Sequence, residues 1–256
     1  MKTLIAFIKK EITEQIRQGK LMLIFILFVI LGIMNPAIAK LTPWMYEIFA
    51  DSLSESGIII TAINVSAMDS WVQFFKNIPI GIIAFVLIES SIFTKEYSSG
   101  TLVLSLTKGL SRYKVVIAKF LILGVMWTVF YWMCFGITCG YNAYFWDNSV
   151  AKNLIFSVAC WWIFGLFIVS LTVIFSTLAN SNSGVLGGVG IVALVSYLVG
   201  LIPKISKYLP TFLTDGNSLI YGVMEANEYV IAIIITVSLS ALCFAISIPI
   251  FNKKQL

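Results

Sequence analysis

The amino-acid sequence predicts an all-α polytopic membrane protein with six transmembrane helices, an N-terminal amphipathic interfacial helix and one short helical element on the cytoplasmic side. Three observations predict it. Hydrophobic residues make up 59% of the chain and charged residues 11%, with a mean hydropathy of +0.97, a balance foreign to soluble domains. A hydrocarbon core of roughly 30 Å needs about 20 apolar residues of helix, because backbone groups in lipid must pair within their own segment. Six stretches meet that length, at about 21–39, 78–94, 115–140, 154–179, 184–202 and 229–251. The third observation is charge asymmetry. Of the 17 lysines and arginines, twelve lie at the termini and in the 95–119 region (Lys2, Lys9, Lys10, Arg17, Lys20, Lys95, Lys108, Arg112, Lys114, Lys119, Lys253, Lys254). Only Lys40, Lys76, Lys152, Lys204 and Lys207 fall on the other face, so both termini are expected in the cytoplasm of a bacterial-type cell.

The elements follow in order. Met1 to Gln18 reads as an amphipathic helix lying on the inner surface, with Leu4, Ile5, Ile8, Ile12 and Ile16 in one arc and Lys9, Lys10, Glu14, Arg17 and Gln18 over much of the rest. A full-length span follows directly, unlike the short apolar core of a cleavable signal. Residues 40–77 form a large outer loop. It holds Trp44, Met45, Tyr46, Ile48 and Phe49, then the polar Asp51 to Ser56, then an apolar run from Gly57 to Ile63. Six tryptophans, Trp44, Trp71, Trp132, Trp146, Trp161 and Trp162, map near the outer boundary, where an amphipathic ring prefers to sit, and Trp127 maps to mid-bilayer.

The second span carries Glu89, the one candidate for a carrier's intramembrane ionisable group, about five residues or roughly 7.5 Å from the cytoplasmic end. Its expected partners are lipid headgroups or a nearby cation such as Lys95. Asn35-Pro36, Pro79 and Pro249 can each kink or end a helix. Gly184 and Gly188 form a GxxxG, extended by Gly187 and Gly190, suited to close helix approach. Asn180 to Ser183 reads as a tight polar turn. Residues 203–228 form a second outer loop containing Tyr208-Leu209-Pro210-Thr211-Phe212-Leu213.

Several chemistries are excluded. The chain has no histidine, which removes Ser-His and Cys-His catalysis and histidine-based zinc sites. Cys134, Cys139, Cys160 and Cys243 lie inside apolar spans without metal-ligand or CxxC spacing. Asp51, Asp69, Asp147 and Asp215 all fall in predicted loops, against an intramembrane aspartyl protease. There is no GxxxxGK[ST] loop, so nucleotide hydrolysis would have to come from elsewhere. The net charge of +5 reflects sidedness rather than a nucleic-acid footprint.

The segment between spans two and three is the most informative. Serines and Gly100 end the span, and Leu102, Val103, Leu104 and Leu106 then give a short helix an apolar surface too short to cross lipid. Lys95, Glu96, Lys108 and Arg112 frame it with charge. Glu96, Gly100, Thr101, Leu102, Leu104, Leu106, Ser111, Arg112 and Lys119 resemble the coupling-helix pattern of type-2 ATP-binding-cassette permeases, E-x3-G-T-L, an apolar run, then S-R and a lysine. Where many relatives place a proline before Ser-Arg, this chain has Lys108-Gly109-Leu110, and the glycine is expected to preserve the turn.

The resemblance implies that residues 1–256 form one permease domain, with 1–19 as interfacial helix and 95–113 as coupling element. It implies a cytoplasmic ABC ATPase partner that carries ATP and Mg, with no cofactor on this chain, and a second permease copy or sister permease. Glu96 and Arg112 would orient the coupling helix while Leu102, Leu104 and Leu106 dock. The segment at 208–213 resembles the membrane-dipping stretch that these permeases place before their last span. The cargo expected from composition is amphipathic, peptide- or lipid-like. An ion-coupled secondary carrier using Glu89, or a non-transporting scaffold or immunity protein binding through its outer loops, are the alternative classes.

Overall fold

A computed structural model describes residues 2–55, 64–107 and 109–254. Among these the chain is helical and contains no strand. The predicted apolar run Gly57–Ile63 and Lys108 lie outside the described residues.

Helix α1 (Lys2–Arg17) ends at Gly19, whose φ of +70° suits a residue without Cβ, and the chain turns back into α2 (Lys20–Glu55). The turn sets α1 against α2 and α6 (Arg112–Phe145). Its protein-facing edge is Phe7, Glu11 and Gln15, spaced by four, with Leu4 and Ile8 also packed against the core. Ile5, Ile12 and Ile16 are exposed. The expected single apolar arc is therefore divided between protein and surroundings.

Helix α2 runs through Pro36 and Pro43 without ending. Pro36 has no N–H for the carbonyl of Gly32; Thr138 of α6 donates its hydroxyl to that carbonyl at 2.9 Å. Asn35 donates to Thr138 Oγ1 at 3.0 Å, and Asn77 donates to Asn35 Oδ1 at 2.8 Å. A polar triad thus joins α2, α6 and α3 (Ala67–Glu89).

The second span starts at Ala67, not 78, and α2 extends to Glu55, so much of the predicted 40–77 loop is helix. The local cause is a capping box. Ser66 Oγ accepts from the Met68 N–H at 3.2 Å, and Asp69 Oδ2 accepts from the Ser66 N–H at 2.9 Å. Hydropathy windows pass over such signals because Asp69, Gln73 and Lys76 lower their mean.

After Ser90 the helix resumes as α4 (Ser91–Ser99), and α3 with α4 makes one apolar segment, Ala67–Ser99. Its 33 residues measure about 50 Å, so it outruns a bilayer core. Gly100 closes α4 at φ +67°, α5 (Thr101–Thr107) follows, and Gly109 turns the chain at φ +87° into α6. Glycine does supply the turn there.

The remaining long helices are α7 (Leu154–Leu178), α8 (Asn182–Gly200) and, after α9 (Pro203–Ser206) and α10 (Gly216–Ile220), α11 (Val230–Lys253). Six helices among the described residues are long and apolar enough to cross a membrane. Segment 203–228 folds as short helical pieces against the bundle. Leu213 and Leu219 pack with Cys160 and Tyr229, whose hydroxyl donates to the Asp215 carbonyl at 2.9 Å.

The core lies between α2, α3, α6 and α7 and is rich in aromatic side chains. Trp71 and Trp161 are buried in it, while Trp44 is exposed. Trp127 lies against Gly165, where an added Cβ would come within 2.1 Å of the indole, and its Nε1 donates to the Trp162 carbonyl at 3.1 Å. Gly188 serves α7–α8 packing in the same way, since an added Cβ there would come within 2.2 Å of the Phe175 ring, whereas a Cβ at Gly187 or Gly190 would meet nothing within 4 Å among the described residues. Outward-facing Ile191, Leu194 and Tyr197 leave α8 the least covered of the long helices.

Candidate functional site

At the end of the bundle where α1, α4 and α5 gather, an ionic junction is buried. Its centre is Lys119, two turns into α6 and fully inaccessible. Its Nζ donates to Glu11 Oε2 at 2.8 Å and to the Ile92 carbonyl at 2.6 Å, and lies 2.7 Å from Glu96 Oε2. The ring centroid of Phe93 is 5.1 Å away, within cation–π reach. Removing an ammonium from water costs several kcal/mol in practice, about the scale that two close carboxylates and a carbonyl offset.

Lys10 extends the junction. It pairs with Glu96, with Glu11 at 2.9 Å and with Glu14 at 3.0 Å. Burial alone would lower the pKa of Lys10, but its hydrogen bond to Glu96 and the adjoining Glu11 more than offset this, so it stands above the ordinary lysine value. Glu11, Glu14 and Glu96 offer oxygens within 4.8 Å of one another, a spacing that suits a metal ion. Two ammonium groups already lie among them, so the set works as an ion-pair network.

Glu89 belongs to the same end. It is fully buried, accepts from Gln15 Nε2 at 2.7 Å and lies 3.9 Å from Lys20. Lys20 in turn donates to Ser91 Oγ at 2.7 Å. Glu89 is thus buried rather than hydrated, and the nearby cation is Lys20 rather than Lys95: α1 folds beneath α3 and α4 and covers Glu89, while Lys95 stays exposed. Through Lys10, Glu11 and Gln15, α1 holds α4, α6 and the end of α3.

The other sequence-predicted residues fall as follows. Glu96 is buried in the junction, one turn before Gly100 ends α4. Thr101 is exposed and shares a hydrogen bond with Ser99 at 2.9 Å. Along α5, Leu102 is fully buried, Leu106 is half-buried against the core, and Leu104 is 63% exposed beside the exposed Val103. Leu102 therefore anchors α5 to the bundle, and Leu104 with Val103 forms its outer face. Arg112 is engaged by the end of α11: its Nη1 lies among the carbonyls of Phe251, Asn252 and Lys254 at 3.1, 3.3 and 2.5 Å.

The sequence reading missed the partners. Lys119 was visible as a lysine inside an apolar span, and the stripe Phe7, Glu11, Gln15 as two polar groups on one helical edge. Both signals demand partners, and each supplies the other's.

Six apolar helices, a first helix folded under them and a short helix raised on a buried ionic base are the architecture of a polytopic membrane protein. A family model described as ABC-2 family transporter protein matches residues 5–215, from α1 through the whole junction, and the chain belongs to that family. It is accordingly a membrane permease component of an ABC transporter, working with an ABC ATPase subunit. A search of curated proteins gave no match.

Proposed function

We propose that the chain is the permease subunit of an ABC exporter in a bacterial cytoplasmic membrane, with both termini cytoplasmic, α1 at the inner interface and α5 as the helix that a separate ATPase grips. The chain then forms one permease domain and pairs with a second copy or a sister permease. ATP and Mg stay on the ATPase.

One observation carries this reading. Segment Ala67–Ser99 is longer than a bilayer core needs, and it ends in a seven-residue helix whose Leu102 is rooted in the bundle while Leu104 and Val103 face outward. An apolar face on a rigid, ionically anchored stub outside the membrane suits a soluble partner. Movement of that partner would reach α1 and α6 through Glu96 and Lys119. Glu89, enclosed by Gln15 and Lys20, fits a partner-driven machine better than an ion carrier with an open midplane carboxylate.

The cargo is amphipathic, peptide- or lipid-like. A groove of about 710 Å³ between α6, α7 and α11 supports this. Its hydroxyls, Thr128, Ser170 and Ser240, donate to Gly124, Leu166 and Thr236 carbonyls of their own helices, which leaves an effectively apolar wall.

The test is affinity purification of the tagged chain in mild detergent, with identification of what comes with it. A stoichiometric ABC ATPase is expected. Leu104→Arg buries a charge at the contact and should weaken it by about 2 kcal/mol or more, roughly thirtyfold in affinity. Leu104→Arg with undiminished recovery of the ATPase would remove α5 as the contact.

A further inference from the structure

Beside α5 the ends of several helices are held together by side chains outside the ionic junction. Lys254, just past α11, donates its Nζ to the carbonyls of Thr177 at 2.9 Å and Ala179 at 2.8 Å, at the end of α7. The same ammonium lies 4.3 Å from the ring centroid of Tyr97 in α4. Tyr97 donates its hydroxyl to the Ser176 carbonyl at 3.0 Å. Phe251 is fully buried, its ring centroid 5.7 Å from Phe93 and 6.5 Å from Tyr97. Arg112 of α6 binds the last carbonyls of α11, as described above.

The final carbonyls of a helix lack partners within it and carry partial negative charge, so cations there are stabilising. In this protein each cap comes from a different element. Lys254 beyond α11 caps α7, Arg112 of α6 caps α11, and Tyr97 of α4 binds α7. None of these helix ends can move away alone without leaving carbonyl groups unpaired.

We propose that Phe251–Lys254 is a strap that carries movement of α4 and α5 to α7 and α11, with Lys254 and Tyr97 as positioning residues. The proposal rests on the reading of α5 as the ATPase contact. Its basis is where the strapped helices lead. α7 and α11 pack against each other and, with α6, enclose the apolar groove. The Lys119 junction ties α4 to α1 and α6. The strap ties the same helix to α7 and α11, so α4 is held from two sides, one of them the side of the groove. A push on α5 displaces Tyr97 and, through Ser176 and Lys254, the ends of both groove helices.

The experiment uses the full-length chain with its co-purifying ATPase in lipid nanodiscs. Cys134, Cys139, Cys160 and Cys243 are replaced by alanine, and a bimane label is placed at Ser240→Cys in the groove wall. ATP with vanadate is expected to shift the emission in this background. In Lys254→Gln and in Tyr97→Phe the ATPase should still co-purify while the shift falls to less than about half. Lys254→Arg, which keeps the cation, should restore it. Tyr97→Phe keeps the ring on Phe251 and removes one hydrogen bond, so it decides the matter if Lys254→Gln does not assemble. An unchanged shift in Tyr97→Phe, or no ATP-dependent shift in the background, overturns the strap with the ATPase contact intact. Absence of any ATPase from the unmodified preparation overturns the reading of α5, and the strap with it.

Discussion

Lys119 shows how far one residue can decide the behaviour of the end of the bundle that carries the ionic junction. Its ammonium is inaccessible and has two carboxylate partners and a carbonyl. Lys119→Met removes the cation and leaves Glu11 and Glu96 facing each other without it, and the expected loss is about 3–5 kcal/mol. Thermal unfolding of the purified protein in detergent measures it. Adding Glu11→Gln to Lys119→Met should cost much less than the two single changes together, because the glutamine relieves the stranded charge. Strict additivity would mean that the junction is not an energetic unit. At this scale the sequence was half legible. Glu96, Arg112 and Glu89 could be picked out locally, yet their partners could not. Glu11 and Lys119 are 108 positions apart and Gln15 and Glu89 are 74 apart, and no local periodicity encodes a pairing of that range. Arg112 illustrates the same limit, since its position beside α5 concealed that it binds the end of α11.

At the scale of elements, proline and its compensation explain why the first span stays straight enough to remain one helix. Pro36 frees the Gly32 carbonyl, and Thr138 supplies the missing donor from α6. Thr138→Val keeps the shape but strands that carbonyl and one hydrogen bond of Asn35, so a loss of about 1–3 kcal/mol is expected. Pro36→Ala restores the donor within α2, and in that background Thr138→Val should cost visibly less. Equal costs in both backgrounds, read as midpoint shifts, would show that the hydroxyl does not serve Gly32. Element boundaries were the least legible part of the fold. The existence of six spans followed from length and hydropathy, which report exposure to lipid. Where α2 ends and α3 begins depends instead on backbone capping at Ser66 and Asp69, and this moved the start of the second span by eleven positions. The short helices after α8 were read as a loop because their burial against Cys160 and Tyr229 is a tertiary effect.

For the whole molecule, the two ends of the bundle differ in what holds them. The end bearing both termini is fastened by ion pairs and charged caps, with Lys114 reaching Thr3 at 3.1 Å and Lys254 reaching α7. The opposite end is fastened by apolar packing of the segment around Leu213 and Leu219. Charge bias then predicts sidedness. Epitope tags placed before Lys2 and after Lys254 should both resist protease in intact cells and both be cut once the membrane is opened. Cleavage of either tag in sealed cells would reverse or split the topology. The same view of the molecule explains which part of the site was legible: α5 stands out because it is a short apolar helix that, among the described residues, leaves Leu104 63% exposed.

The fold of α1 beneath the bundle has a consequence for how the protein is made. Glu11 leaves the ribosome 108 residues ahead of Lys119, a delay of about 5–20 s at ordinary elongation rates. For that interval Glu11 and Glu14 have only Lys10 of α1 beside them, and Lys119 is still unmade. If α1 has docked before α6 arrives, Lys119 would meet Glu11 already in place, and its charge would be buried with a neutralising partner at hand. Biosynthesis in this order makes the first helix a receptor for the third span, and a chain lacking α1 should stall at the insertion of α6 rather than at any later step.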